Sequence, residues 1–144
     1  MADFKTALNK VLKREAGYVN DPDDSGGETF AGVSRNNNRT WKGWVLIDKH
    51  KVGIMLPQGL SRLNDKLFAD KELMSLVDDI YKTKYWDPIQ LDLITSQRVA
   101  EEIFDTAVNM GVGTAVKFAY EACGLPTSTK VTDELITTLV KIKS

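Results

Sequence analysis

The sequence holds one cysteine, Cys123, and one histidine, His50, in 144 residues. A lone cysteine closes no intramolecular disulfide, and with a lone histidine it assembles no His/Cys zinc site. Zinc hydrolases and Cys–His proteases are therefore poor fits. Neither sign of charge is in excess: 19 Lys plus Arg stand against 20 Asp plus Glu, a net charge of -1. No basic surplus draws the chain to nucleic acid or to an anionic bilayer. Apolar runs are short as well, none approaching the roughly 20 residues of a membrane span. The opening residues, Met1-Ala2-Asp3-Phe4-Lys5, lack the basic segment and apolar core of a secretion signal. The expectation is a monomer made in a cytoplasm, with no nucleic-acid partner and no stable membrane insertion.

What is present is an average globular mix, 42% hydrophobic and 27% charged, over a length typical of one domain. Its periodicity is helical. Phe4, Leu8, Val11 and Leu12 recur on one helix face and predict a helix over 3–16, broken by Gly17. Residues 17–32 read as loop, dense in turn formers from Asn20 to Gly27, with a small β-hairpin expected within 17–35. Trp41-Lys42-Gly43-Trp44 follows, then the short apolar run Val45-Leu46-Ile47. Leu60, Leu63, Leu67 and Phe68 mark a further helix. Leu73, Leu76, Val77 and Ile80 mark another, capped by Asp70 and closed before Pro88. Residues 96–111, carrying Val99, Ala100, Ile103, Phe104, Ala107, Val108 and Met110, read as a helix apolar nearly all round and therefore central. Gly111 and Gly113 set off a helix over 114–123, stopped at Gly124-Leu125-Pro126. Thr132 or Asp133 caps a last helix with Leu135, Ile136, Leu139 and Val140. The expected fold class is all-α, as a single domain over 1–144.

Glu15 does not fit that pattern. At about 100° per residue it falls about 20° from Phe4, inside the apolar stripe. Burial and the negative end of the helix both disfavour its charge, which is the condition a general acid needs near neutral pH. The competing reading has the side chain curl into solvent from a frayed helix end, or pair with a lysine or arginine. The loop beyond it carries Asp21, Asp23, Asp24 and Glu28, which offer the second carboxylate that glycoside hydrolysis uses. Gly26 and Gly27 let backbone approach a sugar closely. A calcium loop is the rival for this segment, since Asp21, Asp23, Ser25 and Gly26 fit its first, third, fifth and sixth positions. Gly32 stands where its twelfth position needs Glu, and Pro22 also speaks against it, so no metal and no cofactor are expected.

Two other groups have two readings each. Trp41, Trp44, Tyr85 and Trp86 either stack on sugars or pack in the core. Glu101, Asp105 and Asn109, spaced i, i+4, form either a solvated helix face or a cleft floor opposite Glu15, where Asp105 and Asn109 would bond substrate.

The stretch from Glu15 through Ala16-Gly17-Tyr18-Val19-Asn20-Asp21-Pro22-Asp23-Asp24-Ser25-Gly26-Gly27-Glu28-Thr29 closely resembles the signature of the glycoside hydrolase family 108 muramidases, E-G-G-Y-x-N-x-P-x-D-x-G-G-x-T. That family comprises phage endolysins and related lysozyme-like bacterial proteins. The resemblance continues through Gly32-Val33-Ser34-Arg35, Trp41-Lys42-Gly43-Trp44 and Ile47-Asp48. It resumes at Tyr85-Trp86-Asp87 and from Phe104 to Gly111, where the family's C-terminal peptidoglycan region begins. Ala16 replaces the usual first glycine and Ser25 a common proline. Asn36-Asn37-Asn38-Arg39 lacks the His-Pro or Asn-Pro of many relatives, and Thr127-Ser128-Thr129-Lys130 lacks the usual Asp-Gly turns.

The resemblance implies a lysozyme-like helical fold and hydrolysis of the β-1,4 bond between N-acetylmuramic acid and N-acetylglucosamine. It implies Glu15 as the catalytic acid, with Asp24 and Thr29 positioning or activating water, although Asp21 and Asp23 compete with Asp24. Tyr18, Asn20, Asp23, Tyr85, Asp105 and Asn109 are the expected contacts to the glycan strand. An endolysin of this kind reaches the wall in the periplasm through a holin-type pore. A peptidoglycan-binding module without catalysis and a lytic transglycosylase are the alternatives.

Overall fold

In the structure, a computed structural model, the described residues are 1–15, 17–23 and 25–142. Among them the chain forms α1 (Phe4–Arg14), β1 (Tyr18–Asn20), β2 (Glu28–Phe30), β3 (Val33–Ser34), α2 (Gly43–Lys51), α3 (Leu60–Ala69), α4 (Lys71–Tyr81), α5 (Gln97–Met110), α6 (Val112–Ala122) and α7 (Asp133–Val140). The mainly helical fold with one small antiparallel sheet agrees with the sequence expectation. No helix among the described residues is long and apolar enough to cross a membrane. The backbone divides into two compact units, one of Met1–Val11 with Tyr81–Ser144 and the other of Leu12–Ile80.

The first unit is built on aromatic rings. Phe4, Trp86 and Phe104 meet edge to face with centroids 5.3 to 5.8 Å apart, the geometry that aligns ring edges with ring faces. Asp3 starts α1 by accepting from the Thr6 N–H at 3.1 Å, and the Asp3 N–H donates to Gln97 Oε1 at 2.6 Å. After α4 the chain runs through a π-helical turn at Lys82–Trp86 and two short 3-10 turns before α5. Ser96 caps α5 by accepting from the Val99 N–H. This helix is not apolar all round as its composition suggested. It buries Val99, Ala100, Ile103, Phe104 and Ala107, while Met110 is 56% exposed. The apolar residues outnumber those one face can bury, so those at its end are left in solvent. Gly111, at φ 94°, joins α5 to α6 in a backbone conformation that suits glycine. Thr132, one of the two expected caps, starts α7 by accepting from the Leu135 N–H at 3.2 Å.

The second unit holds the sheet, in order β1-β2-β3 and antiparallel throughout. Ala31 and Gly32 both have positive φ, 49° and 83°, as a two-residue hairpin turn between paired Phe30 and Val33 requires. Asp70 caps α4 as expected, accepting from the Leu73 N–H at 3.0 Å, and its other oxygen lies 2.9 Å from His50 Nε2. Helix α2 was not anticipated from the sequence. It turns Trp44 and Ile47 into the core, and Gly43 at its start lies against the Trp41 ring, where a Cβ would come within 2.5 Å of three ring atoms.

Candidate functional site

Glu15 stands immediately after α1, one residue beyond its last helical residue, Arg14. The helical wheel therefore ends just before it, and its side chain keeps 27% of its surface exposed rather than sinking into the apolar stripe. The Arg14 guanidinium is 3.7 Å from its carboxylate, so the pairing considered for a helix end is present. From here the chain turns directly into the sheet. Gly17 passes close to α3: a Cβ there would lie 2.5 Å from Asn64 Oδ1 and 3.1 Å from the Phe68 ring. Asn64 Oδ1 in turn accepts from the Tyr18 N–H at 2.8 Å. A side chain at position 17 would displace the bond that seats β1, which gives the glycine of the signature a physical role.

The strand register sorts the residues that follow. Tyr18 pairs with Phe30, Val19 with Thr29 and Asn20 with Glu28. Side chains alternate faces along a strand. Tyr18, Asn20, Glu28 and Phe30 thus share one face, and Thr29 lies on the other with Val19 and Ser34. The expected water-positioning threonine and the expected sugar contacts Tyr18 and Asn20 are therefore on opposite faces. The Thr29 hydroxyl donates to the Gly27 carbonyl at 3.4 Å. Asp23 is exposed and donates its N–H to Asp21 Oδ1 at 2.9 Å, closing a turn at the loop tip. Asp24 lies outside the described residues.

A charged network occupies the Tyr18 face. The Tyr18 hydroxyl and Lys51 Nζ both donate to Glu28 Oε2, at 2.5 and 2.6 Å. Arg35 Nη1 donates to Glu28 Oε1 at 3.1 Å. Its guanidinium also forms a two-pronged pair with the Asp48 carboxylate, both bonds 2.8 Å, the geometry that matches the two planar groups best. Arg35 lies 5.1 Å from the centre of the Trp44 ring, and Lys51 5.3 Å from that of Tyr18. Burial works against the Glu28 charge, but the bonds from Lys51 and Tyr18 and the two nearby cations outweigh it and hold the carboxyl below its usual value. Burial, then the bond to Glu28, pushes the Tyr18 phenol up. The Arg35 bond holds Asp48 low against its own burial. Both oxygens of Glu28 are thus engaged by cations and a phenol. Glu28 braces the hairpin against α2; its oxygens are not presented to a water.

Arg35, Asp48 and Lys51 form a group that the sequence expectation does not contain. The signal was available: Trp44, Ile47, Asp48 and Lys51 are spaced i, i+3, i+4, i+7, one face of a helix. Beside β1 lies a cleft of about 260 Å³ lined by Tyr18, Val19, Asn20, Leu56, Pro57 and Leu60. Its walls are mostly apolar with the Asn20 amide at one side, a lining that suits the apolar faces of sugar rings together with a directed hydrogen bond.

The other expected contacts belong to the first unit. Tyr85 is half-buried with its ring 5.7 Å from that of Tyr81. On α5, Asn109 Nδ2 donates to Asp105 Oδ2 at 3.4 Å, and Asn109 is exposed. Glu101, on the same stripe, is taken up by Lys10 Nζ at 2.6 Å and Gln97 Nε2 at 2.7 Å. Trp86 and Trp44 are core residues: Trp86 is fully buried and its indole donates to Asp92, while Trp44 donates to the Asn38 carbonyl. For these two tryptophans packing is the reading that holds.

A model of the family described as glycosyl hydrolase 108 matches residues 8–111. Among solved structures, that of SagA from Brucella abortus is similar, with a TM-score of 0.65 and 23% identity, covering 97% of this chain and 70% of that one. At that identity the likeness is one of fold. No curated protein matches the chain in sequence. The match spans the Glu15–Thr29 segment, the braced hairpin and α2 through α5, and on it the chain belongs to glycosyl hydrolase family 108, a glycosidase of the peptidoglycan-hydrolysing kind.

Proposed function

We propose that the chain is an N-acetylmuramidase that cleaves the β-1,4 bond between N-acetylmuramic acid and N-acetylglucosamine. The observation that carries this reading is the half-buried Glu15 carboxyl at the junction between α1 and the hairpin. In the proposed reaction Glu15 gives its proton to the glycosidic oxygen as the bond to the anomeric carbon breaks. A water attacks that carbon and loses its proton to a carboxylate. Asp24 is the proposed acceptor, with the Thr29 hydroxyl orienting the water. Tyr18, Asn20 and Asp23 hold the glycan strand, with Tyr85, Asp105 and Asn109 as the proposed contacts from the first unit. No metal or cofactor enters these steps. The whole chain is read as one muramidase domain working as a monomer. Its biological role is read as that of an endolysin, acting on the wall in the periplasm after release through a holin-type pore.

The test is to digest purified peptidoglycan and analyse the fragments. Hydrolysis creates new reducing ends on N-acetylmuramic acid. A lytic transglycosylase gives fragments about one water lighter, and a binding module gives none. Either of the latter outcomes overturns the proposal.

A further inference from the structure

A cavity of about 400 Å³ in the second unit is formed by the loop from Asn36 to Trp41 and by Ile80 of α4. It shares no lining residue with the cleft beside β1. Its walls are held in place before any ligand arrives. Asn36 Nδ2 donates to the Ser25 carbonyl, Asn37 Nδ2 to Ser34 Oγ and Asn38 Nδ2 to the Ser34 carbonyl, each at 2.9 Å. Trp41 is fixed by its indole N–H, which donates to the Leu76 carbonyl at 3.2 Å, and by the edge contact with Trp44. Arg39 sits in this pinned loop, exposed, and no ion pair or hydrogen bond engages its guanidinium among the described residues. Arg14, Arg35, Lys10 and Lys51, by contrast, each pair with a carboxylate.

A guanidinium in a preformed pocket recognises a carboxylate, and it does so in two-pronged fashion. The amide side chains beside it suit peptide groups, and Trp41 with Ile80 supplies apolar contact for small side chains. Gly43 lies against one face of the Trp41 ring, which closes that face to a stacked pyranose. Peptidoglycan supplies the matching chemistry: its glycan strand bears short peptides rich in free carboxylates and alanine methyls. We propose that this pocket takes the peptide stem of the wall polymer, with Arg39 binding a stem carboxylate. The inference rests on the peptidoglycan reading of the substrate, and its test needs no catalysis.

The probe is the tetrapeptide L-Ala-D-Glu-L-Lys-D-Ala, titrated into the protein while the backbone amides of 36–41 and the Trp41 indole N–H are followed by NMR. The free-acid peptide is expected to shift these signals, and the same peptide with amidated carboxylates to leave them in place. Arg39→Gln, which keeps hydrogen-bond donors but loses the charge, is expected to weaken binding by about tenfold. Arg39→Ala is the second variant and does the same, since the side chain is exposed and braces nothing. Equal binding of the acid and amidated peptides, or no effect of either substitution, overturns the proposal. So does a chitooligosaccharide that shifts the same signals while the peptide does not. A protein that binds the peptide but releases no reducing ends from peptidoglycan keeps this inference and loses the muramidase reading.

Discussion

The Tyr18 hydroxyl donates to Glu28 Oε2 across the hairpin at 2.5 Å. The two residues are diagonal neighbours on one face of the β1–β2 pair, so strand register alone brings them within reach. Lys51 and Arg35 add the charge that keeps Glu28 ionised. The signature segment is thereby tied to α2, and the position of the strand that follows Glu15 depends on a polar brace.

That brace sets a pH dependence. A carboxyl whose folded pKa lies below its unfolded value adds stability above the unfolded value, about 4.3. The contribution is lost as pH falls through the lower, folded value. Glu28→Gln is expected to cost about 1–3 kcal/mol at pH 7. Urea unfolding of both proteins at pH 7 and at about pH 3 checks this: the gap between them narrows on acidification.

Gly27 tests the backbone of the same hairpin. Its φ is 70°, and a Cβ there would lie 2.9 Å from Asn36 Nδ2. Gly27→Ala therefore meets both backbone strain and a clash. The expected loss is about 1–3 kcal/mol, read as a lowered thermal midpoint.

The helices with an apolar stripe and a cap were legible from sequence. Asp70 and Thr132 cap where they were expected to, because a short acceptor before an apolar repeat is a local signal. Helix α2 carries no such signal: Lys42 stands at its N-cap with no side-chain bond, and Gly43 is a poor helix former admitted by the close Trp41 ring. With α2 unread, the Arg35–Asp48 and Glu28–Lys51 pairs stayed hidden, since they join residues 13 and 23 positions apart. Helical spacing points to Glu15 but places it deeper than the structure does, because the helix stops at Arg14. A difference of one or two residues at a helix end is below what periodicity resolves.

Trp86 separates the packing role of an aromatic from a sugar-binding one. It is fully buried among Phe4 and Phe104, so Trp86→Ala is expected to cost about 3–5 kcal/mol. Calorimetry checks this, with a large fall in midpoint expected.

Asn20 is exposed at the side of the β1 cleft. If it holds a sugar in ground and transition states alike, Asn20→Ala raises KM on peptidoglycan severalfold and leaves kcat nearly unchanged. Steady-state kinetics on soluble glycan fragments gives the two values separately.

The most direct measurement is reducing-end release from purified peptidoglycan by Glu15→Gln, made alongside its thermal midpoint. Removing the proton donor is expected to leave the midpoint within about 2 °C, because the side chain is partly exposed. It is expected to lower release by a factor of about 100 or more. A folded Glu15→Gln protein that digests the wall at the rate of the parent would contradict the account.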